Sequence, residues 1–214
     1  FSPILDSSVI FTDGTRKQIN GRLVTGAAVT SGPDSPEFSI ELPTMKDNYG
    51  AEVAAILIAI LISNAYPKDL TIVSDCSSAI EKLRSLPTTG SQEILKWDYG
   101  PLFIKIKQKI RRKKFNIKFA HVYSHLLDNG TPSSNRFDKM ITIYKEDAYM
   151  LLKGNKRADS ICSSITTDLS LPRDFSPANH LVLADNNVCT SSNLTHRNIL
   201  KILASLHKPP SPPI

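Results

Sequence analysis

Residues 50–75 read GAEVAAILIAILISNAYPKDLTIVSD, a helical stretch followed closely by a strand. The helical part, Gly50–Ala65, is apolar almost all round, which predicts a helix buried on most of its faces. The strand part, Leu70–Asp75, is a run of β-branched and apolar residues that ends in an acid. A buried helix that leads into a buried strand is typical of a layered domain in which helices cover a sheet.

The segments on either side extend this pattern. Upstream, three apolar runs with short polar links predict an antiparallel meander of strands at Ser8–Asp13, Gly21–Thr30 and Glu37–Leu42. Downstream, the pattern predicts a short helix at Ser77–Leu86, a helical region at 91–114, a fifth strand at Phe115–His125 and helical segments at Phe137–Leu152 and Ala158–Ile165. The order βββαβαβα predicts an α/β fold with a five-stranded mixed sheet and helices on both faces.

Length and composition predict one folded domain with an appendage. The chain has 214 residues, of which 41% are hydrophobic and 21% charged, as in an ordinary globular domain. We assign residues 1–166 to this domain, with a long connection at 126–153. Residues 167–214 are rich in Pro, Ser and Asn and form an extension or linker with one candidate short helix at Arg197–Leu206. The longest apolar run, Val53–Ile62, is too short to cross a bilayer, so we expect no membrane partner.

Cysteine usage and the first residues bear on the compartment. Cys76, Cys162 and Cys189 are an odd number without a CxxC pair, so neither a disulfide framework nor a zinc site is indicated. The chain starts without Met, a basic region or an apolar core of a secretory signal. We therefore expect an intracellular protein, in the nucleus or cytoplasm, that is a piece of a longer chain and is not secreted.

The positive charge is concentrated in one run. The net charge is +6, and the stretch from Lys105 to Lys118 contains eight of the 26 basic residues and no acid. The rest of the chain is close to neutral. A compact basic patch is typical of a protein that binds a phosphate backbone, since it releases condensed counterions. A solvated helix face and a nuclear localisation signal remain alternatives for this stretch alone.

Four acids occupy positions where an acid is structurally awkward: Asp13, Glu52, Asp75 and Asp159. Each has a structural explanation, respectively a turn before Gly14, a charge favoured at a helix N-terminus, a helix N-cap and a surface residue. Strand ends and helix starts at one edge of an α/β sheet nevertheless form a ligand crevice. Carboxylates gathered there repel one another, and hard divalent cations relieve that repulsion.

Five short motifs occur in order along the chain: FTDGT at 11–15, YGAEVAAI at 49–56, VSDCSSAI at 73–80, SH at 124–125 and GNKRAD at 154–159. They resemble the motifs of type 1 ribonuclease H, in particular those of the domains attached to non-LTR retrotransposon reverse transcriptases. The spacings of 39 residues from Asp13 to Glu52 and 23 from Glu52 to Asp75 also match. The resemblance covers about Ser8 to Ile165, and the order of five motifs makes it specific.

The resemblance implies a ribonuclease H-like fold and specific roles for individual residues. Asp13, Glu52, Asp75 and Asp159 would hold two Mg²⁺ ions, or Mn²⁺, roughly 4 Å apart. His125 would assist proton transfer or product release as a fifth catalytic residue. Asn48 would bond the RNA 2′-hydroxyl. The remaining nucleic-acid contacts would come from Lys105, Lys109, Arg111, Arg112, Lys113 and Lys114.

The implied activity is endonucleolytic hydrolysis of the RNA strand of an RNA/DNA hybrid. The implied partners are the hybrid and a covalently attached reverse transcriptase, and no small-molecule cofactor is expected. The alternatives are a catalytically inactive nucleic-acid-binding module, a DDE-type transposase or integrase, and a basic RNA-binding domain.

The 28 residues between His125 and Gly154 exceed the family's usual short loop. They could form a lid or a docking helix, or mark a histidine that has lost its role.

Overall fold

The computed structural model describes residues 8–32, 37–42, 45, 47–63, 69–128 and 135–165. The strands are β1 Ser8–Ile19, β2 Arg22–Thr30, β3 Glu37–Leu42, β4 Leu70–Ser74 and β5 Ile117–His121. The helices are α1 Asn48–Ile62, α2 Ser77–Ser85, α3 Ser91–Ile94, α4 Gly100–Arg111, α5 Asn135–Tyr144 and α6 Ala148–Ser163, with a 3-10 turn at Lys145–Asp147. The strand order is β3-β2-β1-β4-β5.

The sheet is mixed, as predicted. β1 pairs antiparallel with β2, and β2 antiparallel with β3, whereas β1, β4 and β5 run parallel. Successive residues of a strand point to opposite faces, so Ile10 packs with α1–α4 and Phe11 packs with α5 and α6. Helices therefore cover both faces of the five-stranded sheet, as the predicted α/β fold requires.

The position of helix α1 explains why it is apolar on nearly all sides. Every residue from Ala51 to Ile60 is buried, because the helix packs on β1 and β2 with one side and on α4 with another. At about 25 cal/mol per Å² of apolar surface removed from water, such a helix is a major source of stability. Among the described helices, none has both the length and the apolarity needed to cross a bilayer.

Three predicted element boundaries differ from the structure. Strand β1 continues to Ile19, six residues beyond Asp13, because Asn20 and Gly21 adopt positive φ values of 50° and 76° and close a tight hairpin with β2. The predicted helical region 91–114 is two helices, since Tyr99 takes a left-handed conformation with a φ of 58° between α3 and α4. The pairing of β5 also ends at His121 rather than at His125.

The connection before Gly154 is largely helical. It contains α5 and the first part of α6, and Gly154 and Asn155 lie inside α6 rather than before a helix. A Cβ atom on Gly154 would lie 2.2 Å from the Phe11 ring, so this glycine lets α6 pack closely on β1. The tail at 167–214, with Cys189 and the candidate helix at Arg197–Leu206, lies outside the described residues, and the domain boundary stays a prediction.

Candidate active site

Three of the four acids converge at the edge of the sheet where β4 ends. Asp13 lies on β1 just beyond its pairing with β4, Glu52 lies in the second turn of α1, and Asp75 follows β4. One carboxylate oxygen from each residue lies within 4.8 Å of the others. Asp13 and Glu52 are each 8% exposed, so the cluster is largely shielded from water.

Gly14 makes this convergence sterically feasible. A Cβ atom at this position would lie 2.2 Å from the Glu52 backbone nitrogen and 2.4 Å from the Ala51 carbonyl carbon. No side chain fits in that space, so any other residue would push α1 away from β1. The glycine that follows Asp13 therefore sets the distance between Asp13 and Glu52.

The structure contradicts all four structural explanations for the acids. Asp13 and Gly14 are paired residues inside β1 and do not form a turn. Helix α1 begins at Asn48, so Glu52 is not in its first turn, where the helix dipole would favour a charge. The N-cap of α2 is Cys76, and Asp75 does not cap the helix. Asp159 lies inside α6 and is only partly exposed, so it is neither at a helix start, as predicted, nor a fully solvated surface residue.

The carboxylates raise one another's pKa values. Burial raises the pKa of Asp13 to about 7, and the charges of Asp75 and Asp159 add to the increase. Burial and the charges of Asp13 and Asp75 raise the pKa of Glu52 well above its usual value. Burial, together with Asp159, also raises the pKa of Asp75. An oxygen-only set of mutually repelling carboxylates fits a hard divalent cation such as Mg²⁺ or Mn²⁺, which would hold them ionised.

Asp159 stands beside this cluster rather than within it. It lies on α6 four residues after Asn155, so both side chains project from the same helix face. Both residues line a small pocket that Asp75 also lines. The Asn155 amide nitrogen donates to Asp75 Oδ2 at 3.4 Å, which ties α6 to the acid after β4.

His125 opens onto the same pocket from the turn after β5. Its backbone is left-handed, with a φ of 59°, and its side chain is exposed. His125 Nδ1 lies 2.8 Å from Asp128 Oδ2, and Lys156 Nζ lies 3.0 Å from Asp128 Oδ1. The hydrogen bond to Asp128 and the nearby charge of Asp159 raise the pKa of His125. The histidine thus has a fixed ring orientation beside Asp75 and Asp159.

Sequence reasoning missed several residues that support the acids. Asn155 lies in the GNKRAD motif, and its spacing of four residues from Asp159 could have indicated that the two share a helix face. Ser74 Oγ reaches Glu52 Oε2 at 3.5 Å, and His121 Nε2 lies 3.2 Å from the Asp75 carbonyl oxygen. Asp128 and Lys156, which hold His125, come from different elements, and no local pattern relates them.

Asn48 is the first residue of α1 and is exposed at the acidic end of that helix. The preceding residue, Asp47, caps the helix because its Oδ1 accepts the Gly50 amide at 2.9 Å. The Tyr99 hydroxyl donates to the same oxygen at 2.9 Å. The start of α1 is therefore held from two sides, and the amide of Asn48 is left at the surface.

The basic run lies largely away from the acids. The first residue of β5, Ile117, pairs with Leu70 at the start of β4. Asp75 follows Ser74, the last residue of β4, which lies roughly 13 Å from Leu70 along the strand. Lys113 Nζ donates to the Ile60 carbonyl at 2.7 Å and to Ser63 Oγ at 3.0 Å, at the far end of α1 from Glu52. We call residues 111–118 the basic edge, and Asp13, Glu52, Asp75 and Asp159 the acidic edge.

The predicted nucleic-acid-binding lysines and arginines differ in their exposure. Lys105, Arg111, Arg112 and Lys114 are exposed, whereas Lys109 is partly buried. Lys113 is half-buried against the end of α1, and burial and the charge of Lys109 lower its pKa to about 8. Lys113 thus stabilises the C-terminus of α1, where cations are favoured. The nucleic-acid role of all six stays a prediction.

Comparison with known proteins identifies one matching family. The sequence profile of RNase H matches residues 6–144, more than half of the chain. No curated protein shows significant sequence similarity to the chain. The RNase H domain of prototype foamy virus is 19% identical with a TM-score of 0.50, over 72% of this chain and 91% of that domain.

Two further solved structures are similar over about the same share of this chain. The native protease-reverse transcriptase of prototype foamy virus is 17% identical, with a TM-score of 0.55 over 78% of this chain and 22% of that one. The foamy viral protease-reverse transcriptase in complex with dsDNA is also 17% identical, with a TM-score of 0.50 over 77% of this chain and 100% of that one. At these identities the structural likeness shows the fold. The chain thus spans about a fifth of the native foamy virus protein.

Proposed function

The chain belongs to the RNase H family of hydrolases, and we propose that it is an endonuclease that cleaves the RNA strand of RNA/DNA hybrids with two divalent metal ions. The observation that carries this proposal is the convergence of Asp13, Glu52 and Asp75 within 4.8 Å. Their raised pKa values indicate that the ionised carboxylates are unfavourable on their own, so a bound cation would stabilise their charged forms.

Mg²⁺ is the proposed metal, with Mn²⁺ as a substitute. Asp13, Glu52 and Asp75 would hold it, and Asp159, from the neighbouring pocket, would complete the set for a second ion. The ions would lower the pKa of an attacking water and offset the charge that develops on the leaving oxygen. The protein supplies a largely buried carboxylate cluster, in which electrostatic interactions are stronger than in water.

His125 is proposed to move protons at the edge of this site. It lies on the surface of the pocket that Asp75 and Asp159 line. Its contact with Asp128 raises its pKa, which keeps a larger fraction protonated near neutral pH. A protonated imidazole at that position can donate a proton to a leaving group and then exchange it with water.

Asn48 is proposed to read the RNA strand. Its amide is exposed at the start of α1, one turn before Glu52, so one helix carries both a candidate RNA reader and a metal ligand. A 2′-hydroxyl both donates and accepts hydrogen bonds, and an amide side chain can satisfy both functions. The exposed cations Lys105, Arg112 and Lys114 would contribute attraction to phosphates farther along the hybrid.

We propose that the natural protein carries this domain beside a reverse transcriptase, as part of a retrotransposon polyprotein. The similarity to foamy virus protease-reverse transcriptase supports an attached polymerase, since this chain spans only 22% of that one. A polymerase would present the hybrid, which would make the domain alone a weak binder.

The test is cleavage of a hybrid labelled on each strand, with and without Mg²⁺. We expect metal-dependent cutting of the RNA strand alone by the parent chain, and none by Asp75→Asn. Asp138→Asn is the matched control, because Asp138 is an exposed acid on α5 outside the cluster. Binding without cutting would favour an inactive module, and cutting of duplex DNA would favour a transposase or integrase.

A further inference from the structure

A groove opens at the basic edge, between α2, α4 and β5. Its volume is about 430 Å³, within the range of roughly 300–1,000 Å³ that ligand pockets occupy. Its apolar lining includes Leu83 from α2, Leu86 just after that helix, Ile110 from α4, and Ile117 and Phe119 from β5. The groove lies away from the acidic edge, because Ile117 pairs with the first residue of β4 while Asp75 follows the last.

Four cations surround this apolar lining: Arg84, Lys107, Arg111 and Lys118. Lys107 and Arg111 are four residues apart on α4 and so lie on one helix face. No carboxylate lines the groove, and within the described ranges none of the four cations forms a salt bridge. Asp69 lies close enough for Lys118 to help lower its pKa, but its carboxylate accepts two hydrogen bonds from Asn116.

Two of the cations are held in place by backbone carbonyls. Arg84 Nη2 donates to the Phe119 carbonyl oxygen at 3.2 Å, and Lys107 Nζ donates to that of Thr89. These contacts orient positive charge at the groove without neutralising it. Arg111, from α4, and Lys118, from β5, are exposed. A ligand that enters the groove thus meets an apolar floor and a rim with an unbalanced charge of about +4.

We propose that this groove binds an acidic peptide segment with one or two large apolar anchor residues. The lining would accept the apolar side chains, and flanking carboxylates would pair with the four cations. A nucleic-acid backbone fits less well, since phosphates and sugars would leave the apolar floor without complementary surface. The proposal is separate from hydrolysis and identifies Arg111 as a peptide contact.

The test uses the full chain and a fluorescein-labelled peptide in which a leucine-phenylalanine pair is flanked by aspartates, followed by fluorescence anisotropy. Arg111→Glu combined with Lys118→Glu reverses two exposed groove charges. Lys105→Glu combined with Arg112→Glu makes the same charge change on exposed residues that do not line the groove. Circular dichroism melting of both variants monitors folding.

We expect the groove variant to weaken peptide binding at least tenfold and the control variant to weaken it less than twofold. Replacing the leucine-phenylalanine pair with glycines should weaken binding to the parent at least fivefold. Equal losses in both variants, or equal binding of the glycine peptide, would overturn the proposal in favour of general electrostatic attraction. A DNA duplex that displaces the peptide and depends more strongly on Arg111 and Lys118 would instead make the groove a nucleic-acid surface.

Discussion

The acidic edge and the basic edge place opposite charges at opposite ends of the same parallel strands. At the acidic edge, Asp13, Glu52 and Asp75 lie within 4.8 Å of one another despite their repulsion, and the first two are buried. At the basic edge, most cations are exposed, and one cation, Lys113, stabilises the end of α1. Concentrated buried charge requires a counter-ion to be stable, whereas dispersed exposed charge is already solvated. We therefore expect catalysis at the acidic edge and only electrostatic attraction of phosphates at the basic edge.

Replacement of one acidic-edge carboxylate should have the largest effect. We expect Asp13→Asn to lower kcat for hybrid cleavage by at least about 10³-fold, because electrostatic groups at a reacting centre are worth about that much. Circular dichroism should show a folded protein. Single-turnover kinetics at saturating Mg²⁺ measure the effect, and retention of more than a tenth of the parent rate would contradict the assignment.

Substitutions in the turn that carries His125 and Asp128 should have the second-largest effect. His125→Ala should lower kcat about 10²-fold, as expected for loss of one general acid or base. Asp128→Asn should lower it less and move the pH profile, because Asp128 raises the pKa of His125. Without that hydrogen bond, the descending limb should shift to lower pH. A pH series of kcat for both variants measures this, and an unshifted profile in Asp128→Asn would exclude the coupling.

Without metal, the folding stability of the protein should depend on pH in the opposite sense from that expected for a carboxylate in a salt bridge. Since the pKa of Asp13 is raised to about 7 in the folded state, the folded protein binds more protons than the unfolded chain. Stability without metal should therefore fall as pH rises from about 4 to 7. At pH 8 in EDTA, Asp13→Asn should be more stable than the parent by up to about 4 kcal/mol, which is the full linkage value of a pKa raised from 3.8 to about 7.

Urea unfolding with and without Mg²⁺ measures that difference. Mg²⁺ should stabilise the parent, because binding to the folded state alone favours folding, and should stabilise Asp13→Asn much less. Asp138→Asn again provides the control, with neither response. A parent that is more stable than Asp13→Asn at pH 8 in EDTA would mean that the carboxylates do not repel one another appreciably.

The basic edge should give the smallest catalytic effect. We expect Arg112→Gln combined with Lys114→Gln to raise KM about two- to fivefold at moderate salt, with kcat nearly unchanged. The dependence of log KM on log salt should become shallower, because fewer counterions are released on binding. A loss in kcat comparable to that of Asp13→Asn would erase the distinction between the two edges.

Much of this protein was predictable from local pattern. The order of strands and helices, the buried helix α1 and the acids Asp13, Glu52 and Asp75 follow from apolar periodicity and from charges that interrupt it. Such signals are local, because a buried strand or helix face needs apolar residues wherever it lies in the fold. The length of β1 escaped this reasoning, since hairpin hydrogen bonds extend a strand through polar residues such as Arg16 and Lys17.

Other properties were decided only by the tertiary structure. Gly14 and Gly154 matter because of what lies against them, respectively the backbone of α1 and the ring of Phe11. The ties from Asn155 to Asp75 and from Lys156 to Asp128 join residues far apart in the chain. The basic run is continuous in sequence, but the parallel pairing of β4 and β5 carries its end to the edge opposite Asp75. The sequence alone thus determined which residues are chemically capable, because side-chain type is local. Strand direction and close packing determined which of them meet, because proximity between distant segments exists only once the sheet has formed.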